Sequence, residues 1–273
     1  MSLFGSSLAG TSLLVNISAV ISILPLALLA WRPQPVRDRR FWAAVAVAAI
    51  GAVGWTLVRF GDHWDGGLGA ALWVSAATTV ALFAAISAVS ATMARLAGLL
   101  GPYLLMMATL ASVLDAPRAG GVGGMPEGWV VLHIVVSLAT YALATLAAVA
   151  GIGVFIKERA LKAKRPFGLS AGLPAVADAE TLLFRLLTTA EIVLGVGILS
   201  GVALNVTAGH PWITGDHKSV LSLVAFAVVG AVLFAHARLG LRGRRAVRGV
   251  LAVYLLLTLA YPGVKAVHAL VGG

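Results

Sequence analysis

Along the chain, apolar stretches of about 20 residues alternate with short connections that are polar or marked by Gly and Pro, and the alternation repeats eight times. A helix needs about 20 largely apolar residues to cross roughly 30 Å of hydrocarbon. By that measure, spans are expected near residues 11–31, 41–60, 68–90, 94–114, 129–156, 183–206, 219–237 and 247–270. The pattern predicts an all-α polytopic membrane protein, a bundle of eight transmembrane helices in one membrane domain over 1–273. Spans one to four fall within 11–115 and spans five to eight within 129–270. The texture is rich in Ala and Gly, and Gly197 and Gly201 in the sixth span have the spacing that lets helix backbones approach closely. The opening MSLFGSSLAGTSLLVN carries no positive charge and stays apolar to Trp31, which reads as a retained span and not a cleaved signal.

Composition agrees: 60% of the 273 residues are apolar and 11% charged, more apolar surface than a soluble domain of this length buries. The formal charge of +10 would point to nucleic acid in a soluble protein. Here its distribution gives another meaning. Of the 20 Lys and Arg, sixteen fall in alternate connections, among them Arg32 to Arg40, Arg95, Lys157 to Arg165, and Arg238 to Arg248. The other side receives only Arg59, Arg118, Lys218 and Lys265. The positive-inside rule makes the rich side cytoplasmic and puts both termini outside the cytoplasm, so the charge is a topology signal facing lipid and no nucleic-acid partner is expected. Zero cysteine excludes disulfides, thiolate zinc and iron–sulfur sites, thioether attachment of haem and thiol catalysis, leaving metal chemistry to histidine and carboxylate.

The predicted topology sorts the histidines unevenly. His63, His133, His210, His217 and His268 fall at the outer face, and His236 at the inner one. Neutral imidazole is a good iron ligand, so such a cluster hints at metal or haem ligation. In WVVLHIVVSLATYALATL, His133, Ser137, Thr140, Tyr141 and Thr145 share one helical face. Polar groups at membrane depth turn into the bundle, where this stripe either lines a cavity or makes an interhelical hydrogen-bond seam. His217 stands just before span seven, in a loop with His210, Pro211, Trp212 and Asp216. Two readings apply to it. Asp216 and Trp212 can be a helix start and an interfacial aromatic. Alternatively, His133 and His217 approach one another and bind iron, Asp216 or a carbonyl orients one ring, Lys218 meets a haem propionate, and His268 is a spare axial candidate. Glu191, about two turns inside span six, is a functional candidate because carboxylates inside membranes are rare, although no second acidic residue sits well inside a span. His236, beside Arg238, reads as interfacial.

Five stretches then carry a resemblance: LHIVVSLATYAL (132–143), LPAVADAETLLFRLL (173–187), DHKSVLSLVAF (216–226), GLRGRRA (240–246) and LAYPGVK (259–265). In this order and spacing the chain resembles the cytochrome c assembly superfamily of haem-handling membrane proteins, in particular its short YpjD-like or HemX-like branch. The resemblance implies a multi-pass protein of the bacterial inner membrane that binds haem b non-covalently at its periplasmic face, or helps deliver it towards cytochrome maturation, with other assembly proteins as partners. His133 matches the family's first external histidine and His217 the histidine of the branch's His-Lys motif. HPWITGDHK holds Trp212 alone where the better-characterised haem deliverers carry a tryptophan-rich loop. AIGAVGWTLV in span two has no imidazole where members with an intramembrane haem use one.

Three functions are therefore in play: a haem-binding assembly factor without catalytic residues, a haem-free regulatory or scaffolding membrane protein, and a transporter with Glu191 and the span-five stripe along its path. There is no nucleophile elbow, P-loop or pair of catalytic carboxylates, and no enzymatic turnover is expected.

Overall fold

The computed structural model describes residues 3–32, 37–60, 67–114, 128–164, 168–207, 209, 211 and 217–259; of these, 3–13, 217 and 218 are described in backbone only. All regular structure among them is helical. The helices are α1 (Leu3–Leu28, continued by a 3-10 turn Leu29–Trp31), α2 (Arg39–Phe60), α3 (Leu68–Val89), α4 (Ala91–Ala94), α5 (Ala97–Val113), α6 (Gly128–Lys162), α7 (Leu169–Gly172), α8 (Val176–Thr207), α9 (His217–Leu239) and α10 (Gly243–Thr258).

Six helices are long and apolar enough to cross a membrane: α1 with its 3-10 extension, α2, α3, α6, α8 and α9. The expected fourth span is α5, which has 17 residues. It starts late because Ser90 caps the separate turn α4, accepting the Met93 N–H at 3.3 Å, and the chain turns at Arg95 and Leu96 before α5 begins. The expected eighth span begins as α10, and its continuation from residue 260 lies outside the described residues.

Two groups of helices pack together. In the first, α1 packs on α2 and α5, and α3 on α2 and α5; in the second, α8 packs on α6 and α9, and α10 on α6 and α9. Contacts of α3 and α5 with α6 join them, and one hydrophobic core runs through both. Small residues set the close approaches. At Gly101 of α5 a Cβ would stand 2.6 Å from Ala27 Cα, so α1 and α5 meet backbone to backbone only because the side chain is missing. Hydroxyls inside the bundle return their protons to their own helix, as Ser75 does to the Ala71 carbonyl and Thr79 to that of Ser75. Trp73 is fully buried, stacked on Trp55 at 5.0 Å, and the Trp55 indole N–H donates to Asn16 Oδ1 at 2.5 Å, pinning α1 to α2.

At the basic end, Arg32 grips Asp38 with two hydrogen bonds of 3.2 and 2.8 Å, and Asp38 Oδ1 accepts the Phe41 N–H at 2.8 Å, capping α2. Arg37 donates to the carbonyls of Ser87 and Ala88 at the end of α3. These contacts tie the α1–α2 connection to the end of the third span.

Candidate functional site

The polar face of α6 separates into two nodes, one on each side of the helix pairings. Ser137, Thr140 and Thr145 donate to the carbonyls of His133, Val136 and Tyr141, so these three hydroxyls are satisfied within α6. His133 and Tyr141 reach other helices.

His133 is half-buried against α8, with Nδ1 2.8 Å from Ser200 Oγ. The Ser200 hydroxyl has one proton, and the Gly197 carbonyl also lies within its reach at 2.8 Å. When that proton goes to Gly197, the oxygen accepts from His133 and Nδ1 carries the hydrogen; when it goes to His133, Nδ1 accepts. In either case Nδ1 is engaged by the bundle, and the first arrangement puts the lone pair on Nε2, where a metal could bind. Gly201 makes room for this geometry, since a Cβ there would stand 3.1 Å from His133 Cε1, and Gly197 similarly admits Val136. The spacing read as close packing is thus also the floor on which the imidazole lies.

The second node is made by tyrosines. Tyr254 of α10 lies 2.5 Å from the Tyr103 hydroxyl of α5 and 3.2 Å from that of Tyr141. Tyr103 also donates to Met107 Sδ at 3.3 Å, and Thr258 Oγ1 is 3.5 Å from Tyr141 while donating to the Tyr254 carbonyl. Three helices are held by hydroxyls whose partners lie in distant parts of the chain.

Helix α8 serves as a ruler for the placement of His217. A Cβ on Gly195 would meet Phe226, and one on Gly230 would meet Glu191, so α8 and α9 run antiparallel. Continued outward, that register sets His217, the first residue of α9, level with Leu204, about one turn or ~6 Å beyond Ser200. His133 and His217 therefore occupy the same end of the bundle. The residues of α8 that face α6 (Gly197, Ser200, Gly201) and those that face α9 (Glu191, Gly195) lie on different sides of the helix. His217 and Lys218 are described in backbone only. His63, His210, Trp212, Asp216 and His268 lie outside the described residues.

Glu191 points at α9, its Oε1 opposite Gly230, and its buried Oε2 has no hydrogen-bond partner among the described residues. His236 closes the inner end of α9. Its Nδ1 is 2.9 Å from the Leu241 carbonyl, which can only accept, and its ring stacks on Phe184 of α8 at 3.4 Å. That is a structural role, tying the end of α9 to α8 and to the turn that follows. Ser200 and Tyr254 are the residues that sequence reasoning missed. A small-residue run, GILSGVA, was the one available signal for Ser200.

This is a polytopic helical membrane protein with an imidazole hydrogen-bonded between two helices near one end of its bundle. A family model described as "Cytochrome C assembly protein" matches residues 64–271, and the chain belongs to that family. It is also 42% identical over 262 residues to an "Uncharacterized 28.8 kDa protein in nifR3-like 5'region" of Azospirillum brasilense, covering 93% of this chain and 96% of that protein. No solved structure matches.

Proposed function

We propose that this protein handles haem b in cytochrome c biogenesis, the process to which its family ties it, holding the cofactor at the periplasmic face and presenting it without turning over a substrate. The observation carrying this reading is the His133–Ser200 pair, which leaves Nε2 as the ligating nitrogen of a half-buried ring near the end of the bundle. His217 would be the second ligand, with His268 as the alternative; Lys218 would neutralise a propionate and Trp212 would cover the porphyrin edge. When bound, haem would supply an iron centre that histidine imidazoles can ligate. The chain's own part is to fix the His133 tautomer, restrict ring rotation through Gly201 and set His217 one turn further out on α9. The reading includes eight crossings in a single membrane domain of the bacterial inner membrane, both termini outside the cytoplasm, and other assembly proteins as recipients or donors of haem.

A visible spectrum of the chain purified in mild detergent tests this. A Soret band that shifts after His133→Ala, and again after His217→Ala, is the expected result. Colourless protein that also fails to take up added haemin would overturn it. One observation favours a second reading, a haem-free scaffold: the His133–Ser200 bond is by itself a complete interhelical seam, and α6 and α9 meet different sides of α8.

A further inference from the structure

The basic end of the bundle holds a hollow of about 540 Å³ that the haem reading leaves unused. It lies between the last turns of α6, the α9–α10 connection and the first turn of α10, in the GLRGRRA stretch. That connection is built to a fixed shape. Gly240 and Gly243 take φ values of 64° and 59°, in the region that favours glycine. The Leu241 N–H donates to the Ala235 carbonyl, His236 donates to the Leu241 carbonyl, and the Gly243 N–H donates to Glu180 Oε1 of α8.

Cations converge on this hollow. Arg244 is paired, its Nε 3.8 Å from Glu158 and its guanidinium 5.2 Å from the centre of the Phe155 ring. Lys162, Arg242 and Arg245 also line the hollow and have no carboxylate partner among the described residues. These three exposed cations around one space, with Glu158 already engaged, set up a positive potential that favours an anion. The rim points to the anion's source. The apolar helix α9 ends at Leu239, which lines the same hollow and is 77% exposed, so an exposed apolar side chain stands beside the cations, as a lipid with a charged headgroup and acyl chains would require.

We infer that this hollow is a site for the headgroup of an anionic phospholipid, with Lys162, Arg242 and Arg245 binding its phosphate oxygens and Leu239 meeting the start of its acyl chains. A headgroup with two phosphodiesters matches three cations better than one with a single charge, and the hollow exceeds what one phosphate fills.

The test uses the full chain in a neutral detergent, titrated separately with tetraoleoyl cardiolipin, dioleoyl phosphatidylcholine and inorganic pyrophosphate, with binding read by native mass spectrometry and thermal shift. Cardiolipin is expected to bind and raise the unfolding midpoint while the other two do nothing. Removing two interfacial cations in Arg242→Gln/Arg245→Gln, with the Arg244–Glu158 pair intact, should weaken cardiolipin binding about 30-fold. Arg242→Lys/Arg245→Lys keeps the charge and should retain most of the binding, which separates lost recognition from lost folding. Equal stabilisation by phosphatidylcholine, undiminished binding in the Gln variant, or displacement of cardiolipin by pyrophosphate would each overturn the assignment, the last by making the ligand a soluble phosphate.

Discussion

Ser200 Oγ lies 2.8 Å from His133 Nδ1 across the α6–α8 interface, with the Gly197 carbonyl also 2.8 Å from the same hydroxyl. Bonding of Nδ1 to Ser200 leaves Nε2 as the ring nitrogen that can face a ligand, and the carbonyl three residues before Ser200 can favour this by taking the hydroxyl proton. Ser200→Ala should remove the positioning while keeping the helix. Loss of such outer partners costs about 10- to 100-fold in metal affinity, so haemin titration of the variant should show a weakening of that size. Gly201→Ala attacks the same ring sterically through the 3.1 Å approach to Cε1 and should shift the Soret band even where haem is retained. Haem binding indifferent to both changes would remove His133 from the ligand set.

The tyrosine node makes a different demand. Tyr254 is the shared middle member, so Tyr254→Phe removes the contacts with both Tyr103 and Tyr141, whereas Tyr103→Phe leaves the Tyr141–Tyr254 contact standing. Each such hydrogen bond contributes about 0.5–1.5 kcal/mol. Thermal unfolding in detergent should rank the Tyr254 variant well below the Tyr103 variant. An equal loss for the two would mean that the three hydroxyls do not act as one network.

These two nodes mark how far the sequence could be read. The apolar runs and the helical face of His133, Ser137, Thr140, Tyr141 and Thr145 were legible, since length and the 3.6-residue period are local properties. Ser200 was not, because its role depends on the register between two helices, which no local pattern encodes. Tyr254 was hidden for the same reason, its partners being 113 and 151 residues away. Two helices run beyond the expected spans. Segments such as KERALK and VADAETLLFRLL are good helix formers, so α6 continues to Lys162 and α8 starts at Val176, beyond the apolar limits of their spans. The bond of His236 to Leu241 required the shape of the following turn, which no local pattern gives.

Asp38 gives the molecule a specific acid sensitivity. Hydrogen bonding to Arg32, and then to the Phe41 N–H, holds its carboxyl well below the usual carboxylate range. A group whose folded pKa is depressed contributes stability above its unfolded value, about 3.9 for Asp, and loses it as pH falls towards the folded value. The unfolding midpoint should therefore decline as pH drops below about 4, and Asp38→Asn should flatten that part of the profile while lowering the midpoint at neutral pH. A profile unchanged by the substitution would mean that the Arg32–Asp38 pair contributes nothing beyond the α2 cap.

Glu191 separates the transporter reading from the others. Its Oε2 is buried without a partner among the described residues, and Oε1 faces Gly230. A group in that state is either retained for function or tolerated at a cost, and the two alternatives diverge on substitution. If it is only tolerated, Glu191→Leu removes a desolvated polar group and should raise the thermal midpoint by an amount corresponding to about 1–3 kcal/mol, with haem content unchanged. Glu191→Gln should then also support cytochrome c maturation at the parental level. A path for ions or solutes through the α8–α9 contact predicts the opposite combination, a Gln variant that is stable and loaded but inactive. The first outcome is favoured because Glu191 Oε1 faces Gly230, which has no side chain, and Oε2 has no hydrogen-bond partner among the described residues, so no second polar group there continues a path.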